Sequence, residues 1–215
     1  MAYPISKFIV LPVFKLWLRK ADGLKNIPRD EPFIMAANHA SYYETLLLPC
    51  IIVQVLNKKM HALVNERYWD SPIANFFLDL WECIPVYLGK EENLKGKNGA
   101  AFQSALRYLK NGEIMMIFPE GRRSSDGKLQ KAYSGTAKLA LLSKVPVLPI
   151  GVIGSSKVLP KGKIFPRFAR CEVKIGKPMY FKKYYNKKIN NQILEGATKD
   201  IMEQIGKLIG QKYNY

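Results

Sequence analysis

Two short stretches carry residue types that could do chemistry. In the first, Ala37-Asn38-His39-Ala40-Ser41-Tyr42-Tyr43-Glu44, a histidine follows an apolar run (Pro32-Phe33-Ile34-Met35-Ala36) and a carboxylate stands five residues beyond it. If the apolar run is a strand and the pattern from Thr45 to Leu56 is a helix, ring and carboxylate meet across the helix's first turn. Such a carboxylate can orient a neutral imidazole to take a proton from an attacking hydroxyl. The same residues also fit a capping box, Ser41-x-x-Glu44, in which Glu44 returns to the Ser41 N–H and only starts the helix. Taken alone, the stretch leaves both uses open.

The second stretch, Glu120-Gly121-Arg122-Arg123-Ser124, leaves another apolar run, Ile114 to Pro119. Arginine grips a phosphate with a bidentate fork, and backbone N–H groups beside a flexible glycine can help cradle it. Glu120 could orient an arginine or hold the loop. A solvated charged turn is the competing use.

Elements that must position these groups follow from apolar periodicity. Strands are expected up to Asn38, at His61–Val64, Cys83–Leu88, Ile114–Pro119, Val145–Gly154 and Glu172–Ile175. Helices are expected at about Tyr42–Leu56, from Pro72, at Ala100–Lys110, Ser134–Ser143 and from Ile189 to the tail, with a polar loop over 89–99. This alternation predicts an α/β fold with a central, mostly parallel mixed sheet flanked by helices. His61 has no carboxylate close in sequence and is taken as structural.

The chain has 215 residues, 48% of them hydrophobic, enough for one domain with a substantial core. Thirty-four Lys and Arg against 17 Asp and Glu give a formal charge of +17, a field that favours anionic partners. From Ser155 to Lys188, eleven cations and one acid are interleaved with Phe165, Phe168, Tyr180, Phe181, Tyr184 and Tyr185. That mixture suits a bilayer interface and also suits single-stranded nucleic acid. Cys50, Cys83 and Cys171 lie far apart in apolar runs without metal-ligand spacing, as reduced buried thiols do. The first twenty residues contain no acid and are apolar from Ile5 to Leu18, interrupted by Lys7, Pro12 and Lys15. Too short to span a bilayer, the segment fits an amphipathic membrane-interface helix or a core-packing helix kinked at Pro12. The expected division is an N-terminal membrane-contacting helical segment at 1–22 and the main domain at 23–215.

With these stretches in order, the sequence resembles the lysophospholipid (1-acylglycerol-3-phosphate) acyltransferase family of bacterial type. Its Asn-His-x-x-x-x-Asp motif is matched by Asn38-His39 to Glu44, with glutamate in place of aspartate. Phe118-Pro119-Glu120-Gly121-Arg122-Arg123-Ser124 matches Phe-Pro-Glu-Gly-x-Arg-Ser, and Val145-Pro146-Val147-Leu148-Pro149 matches an apolar Val-Pro-Val-x-Pro run. Around the family's Ile-Pro-Val core, here Ile84-Pro85-Val86, Glu82 and Leu88 stand at places usually held by glycine and arginine; Lys90 is the next cation.

The resemblance implies direct acyl transfer from a thioester donor, acyl-ACP or acyl-CoA, to the hydroxyl of a lysophospholipid, 1-acylglycerol-3-phosphate above all, giving phosphatidic acid. In that scheme His39 is the general base, Glu44 its partner, and Arg123, Arg122 and Lys90 hold phosphate. Asn38, Glu120, Gly121, Ser124 and Pro149 support the motifs. Neither metal nor cofactor is implied. The implied partners are an anionic membrane surface, the lysophospholipid and an acyl carrier protein or coenzyme A thioester, with no nucleic acid. The implied location is peripheral or monotopic at the cytoplasmic face. The alternatives are a catalytically impaired lipid-binding protein on the same fold and an acyltransferase with another acceptor.

Overall fold

The computed structural model describes residues 13, 15–56, 58–87, 94–163 and 165–215. In chain order its strands are β1 (Leu18–Asp22), β2 (Ile34–Ala37), β3 (Met60–Asn65), β4 (Ile84–Val86), β5 (Ile114–Ile117), β6 (Val147–Ile153) and β7 (Cys171–Ile175). The main helices are α1 (Tyr42–Val55), α2 (Pro72–Leu80), α3 (Leu94–Lys110), α4 (Gly135–Ser143) and α5 (Asn191–Ile209). The strands make one sheet in the order β1-β7-β6-β2-β5-β3-β4.

β2 and β5 are buried along their whole length, so they need cover on both faces. Alternation divides their side chains. Phe33, Met35, Ala37, Ile114 and Met116 enter one core layer with Leu47, Leu48 and Ile52 of α1. Ile34, Ala36, Met115 and Ile117 enter the other with Ala105 and Leu109 of α3, Leu139 of α4 and Ile201 and Ile205 of α5. The sheet is thus sandwiched between α1 on one side and α3, α4 and α5 on the other, as the apolar pattern predicts.

β2 is paired in parallel with β5 on one side (Met35 opposite Met116) and with β6 on the other (Met35 opposite Leu148). After β2 the chain crosses by α1 past β5 to β3; after β5 it crosses by α4 past β2 to β6. The two connections leave neighbouring strands in opposite directions and on opposite faces. With the connections on opposite faces, the carboxyl ends of β2 and β5 are the position at which open α/β sheets form their ligand crevice. His39 follows β2 there, and Glu120 follows β5.

The structure amends several expectations. Residues 18–22 of the segment assigned to a membrane-contacting helix are instead the edge strand β1, parallel to β7 with Ala21 opposite Val173. Just beyond it Gly23 has φ +83°, and a Cβ there would lie 2.1 Å from the Ile175 carbonyl oxygen, so the strand exit admits only glycine. Residues 1–12 lie outside the described residues. α3 begins at Leu94 and takes up half of the expected 89–99 loop, while Leu88 and Lys90 lie outside the described residues. Cys50 and Cys171 are buried free thiols, as expected, and Cys83 is half-buried. Among the described residues no helix is long and apolar enough to cross a membrane.

Candidate active site

Ser41 starts α1 with extended backbone, its Oγ accepting from the Tyr43 N–H at 3.1 Å. A capping box would send Glu44 back to the Ser41 N–H. Instead Glu44 turns inward, where it is fully buried, and both carboxylate oxygens accept from the Ala40 N–H at 3.0 and 3.1 Å. Its Oε2 lies 3.0 Å from Nδ1 of His39, and its Oε1 accepts a short hydrogen bond from the Ser155 hydroxyl. The extra methylene of glutamate therefore still delivers the carboxylate to the ring. An ionised carboxylate at Nδ1 selects the Nδ1–H tautomer and leaves the lone pair on Nε2. Phe118 stacks on the ring with centroids 3.9 Å apart, and the His39 side chain keeps 13% exposure. The imidazole is thus held at one nitrogen and on one face.

The backbone around the ring is equally fixed. Asn38 clamps β6, donating to the Val152 carbonyl at 3.0 Å and accepting from the Val152 N–H at 2.7 Å. Glu120, 1% exposed, accepts from the His39 N–H at 2.9 Å and from the Gln130 N–H at 2.8 Å, tying the β2 exit to the following loop. Burial pushes its carboxyl up to about 7, against the pull of those two N–H groups and of Arg122. Ser124 donates its N–H to the His39 carbonyl at 2.7 Å and its hydroxyl to Asp126 at 2.9 Å. Gly121 sits at φ +65°, and a Cβ there would lie 2.9 Å from the Tyr133 ring.

The two motif arginines differ. Arg122 is exposed; Arg123 is half-buried, its guanidinium 3.5 Å above the Tyr42 ring at the first residue of α1. Nη1 of Arg123 is shielded from solvent and has no hydrogen-bond partner, so this fork keeps unspent donor capacity two residues past Gly121. The Tyr42 hydroxyl meets that of Tyr68 at 2.5 Å, and Arg67 donates to Tyr68 at 3.2 Å. Burial, followed by this bond, pushes Tyr42 above its ordinary value. Pro149 lies inside the sheet opposite Ala36. His61 is buried at the other end of the sheet, its Nε2 2.7 Å from Glu113 and its ring stacked on Tyr108. Among the described residues no cluster of three His, Cys, Asp or Glu could hold a metal ion.

Residues 19–153, which include the histidine dyad, the arginine loop and the proline-bearing strand, match the family described as Acyltransferase. The chain belongs to the acyltransferase family. An uncharacterised protein of Mycobacterium tuberculosis is 26% identical over 169 residues, covering 73% of this chain and 42% of that protein. The chloroplastic 1-acyl-sn-glycerol-3-phosphate acyltransferase of Arabidopsis thaliana is 26% identical over 154 residues, with coverages of 71% and 40%. This chain therefore spans about two-fifths of the length of those two relatives. The 1-acyl-sn-glycerol-3-phosphate acyltransferase of Bacillus subtilis is 24% identical over 161 residues, with coverages of 75% and 73%. Among solved structures, the 1-acyl-sn-glycerophosphate acyltransferase of Thermotoga maritima has the same fold, with a TM-score of 0.67 and 23% identity over 92% of this chain and 75% of that one.

The histidine and arginine motifs meet at the carboxyl ends of β2 and β5, joined by Glu120 accepting from the His39 N–H, but three side chains that shape this site had no part in it on the sequence alone. Ser155 lies 111 residues from Glu44, and Tyr42 and Phe118 stand inside the two motif stretches with nothing local to show that their rings meet Arg123 and His39. The one local signal was Gly154-Ser155 at the end of a strand, a place where polar residues often face a site.

Proposed function

We propose that this chain transfers an acyl group from a thioester, carried on coenzyme A or an acyl carrier protein, to the free hydroxyl of 1-acylglycerol-3-phosphate, forming phosphatidic acid. The observation that carries this proposal is the buried Glu44 carboxylate 3.0 Å from Nδ1 of His39, at the crevice between β2 and β5. Nε2 of His39 takes the hydroxyl proton as the oxygen attacks the thioester carbonyl carbon. The imidazolium so formed is stabilised by Glu44, itself held by the Ala40 N–H and the Ser155 hydroxyl. When the tetrahedral intermediate collapses, the C–S bond breaks and the thiolate recovers the proton from Nε2. Protein nucleophile and metal are absent from this scheme.

Arg123, braced on Tyr42 with an unspent guanidinium edge, holds the acceptor phosphate and so places the hydroxyl; Arg122, more exposed, adds charge at the rim. The relatives from Arabidopsis and Bacillus, whose names specify 1-acyl-sn-glycerol-3-phosphate, support this acceptor. The site of action is a membrane surface on the cytoplasmic side, where lipid acceptor and water-soluble thioester meet. The position of Glu44 argues against the catalytically impaired alternative, since the carboxylate is spent on the ring and not on capping the helix.

The test is thiol release and diacyl product formation with lysophosphatidic acid and each donor in turn. His39→Ala should lower kcat by about 100-fold to 10,000-fold with the fold intact. Full turnover in that variant would rule out the mechanism, and transfer to another lysophospholipid alone would correct the acceptor.

A further inference from the structure

Among the described residues, exposed phenylalanines fall in two places. On α2, Phe76, Phe77 and Leu80 are exposed beside Asp70 and Asp79, so that face has no charge complement for an anionic partner. The other place is the segment after β6, a short helix (Ser155–Val158) and the loop that follows it. From Ser155 to Arg170 it carries five cations (Lys157, Lys161, Lys163, Arg167 and Arg170) and no acid. Phe165 is 83% exposed and Phe168 fully so.

The base of this loop is closed by backbone hydrogen bonds. The Arg167 N–H donates to the Val158 carbonyl at 2.7 Å and closes its base, and the Ala169 N–H donates to the Arg167 carbonyl at 2.8 Å. Phe165 and Phe168 therefore flank the closing bond. The base is tied to the site, since the Ser41 hydroxyl donates to the Leu159 carbonyl at 2.7 Å and Ser155 donates to Glu44. Its far side is tied to the chain's start: Nε1 of Trp17 donates to the Arg167 carbonyl at 3.0 Å, and the Cys171 N–H donates to the Trp17 carbonyl at 2.8 Å. Trp17, at the entry to β1, thus lies beside the loop.

We propose that the 157–170 loop is the element by which this protein docks on an anionic phospholipid bilayer, with Phe165 and Phe168 entering the interface and the five cations pairing with headgroups. The inference rests on the acyl-transfer proposal only for its purpose, which is to bring lipid acceptor to the crevice between β2 and β5. An acidic protein would be attracted by the same charge, but two bare phenylalanines flanked by cations are what a bilayer rewards, since rings enter the acyl boundary while cations stay at phosphate level.

The experiment measures sedimentation of the full chain with vesicles of phosphatidylcholine alone and of equimolar phosphatidylcholine and phosphatidylglycerol. Turnover is followed in parallel on a short-chain lysophosphatidic acid dispersed without vesicles. Phe165→Ser/Phe168→Ser should weaken binding to the anionic vesicles about tenfold or more and leave turnover on the dispersed acceptor unchanged. Lys161→Gln/Lys163→Gln/Arg167→Gln should weaken binding to the anionic vesicles by about 100-fold and change binding to the neutral ones little. If the first variant does not fold, the second decides. Binding like that of the unaltered chain in both variants overturns the proposal. So does a loss of turnover restricted to the carrier-protein donor, which would make the loop a docking surface for an acidic protein. Vesicle binding needs no acyl donor, so intact loop-dependent binding without turnover would sink the acyl-transfer proposal alone.

Discussion

At the scale of single residues, Glu44 is the side chain with most at stake. It is fully buried, and its oxygens are shared among the His39 ring, the Ala40 N–H and the Ser155 hydroxyl. Glu44→Gln keeps the shape but removes the charge that supports the imidazolium and offers an amide N–H where acceptors are needed. Its kcat should fall by about 100-fold or more with KM little changed, as steady-state kinetics would register. Glu120 makes a different prediction. Its carboxyl is raised to about 7 by burial, above the ordinary 4.5 of the unfolded chain. Between those values the folded state holds the extra proton, so stability falls as pH rises from 4.5 to about 7 and levels off beyond. The shift corresponds to about 3 kcal/mol. Subtracting the urea stability of Glu120→Gln from that of the unaltered protein across this range should reveal that slope, and a flat difference would contradict it.

At the scale of elements, α1 does two things with one sequence. Its first turn presents Tyr42 and Glu44 to the site, and its following turns bury Leu47, Leu48, Ile51 and Ile52 against the sheet. The position of Glu44 thus depends on packing several residues away. Leu47→Ala should cost about 2–5 kcal/mol in urea unfolding, from lost burial plus the cavity left in a close-packed layer. The edge strand β1 explains why residues 18–22 resisted assignment as a strand. Leu-Arg-Lys-Ala-Asp lacks the apolar run of a buried strand because Arg19 and Lys20 are exposed on an edge, and cations are how edges avoid unwanted pairing.

At the scale of the whole molecule, the formal charge of +17 is spread unevenly, with the excess after β6 and the arginine loop after β5. A field of that sign should draw the chain to anionic surfaces from a distance and weaken with salt. Raising ionic strength from about 0.05 M to 0.5 M shortens the screening length from roughly 14 Å to 4 Å. The affinity for anionic vesicles should therefore drop at least tenfold across that range, while turnover on a dispersed acceptor changes much less. Co-sedimentation at the two salt concentrations checks it.

The sequence by itself determined what is local. Apolar alternation placed the buried strands and the helices between them, because side-chain periods of 2 and 3.6 are properties of a segment. The five-residue spacing from His39 to Glu44 allowed ring and carboxylate to meet, because one helical turn spans that distance. It could not decide between ring and capping box, since both geometries fit the same residues; the tertiary structure decided it by bringing Ser155 to Glu44 from 111 residues away. The same holds for Glu113 against His61, for Trp17 against Arg167, and for β1 beside β7. Each is a pairing between segments distant in sequence, chosen by how the layers pack.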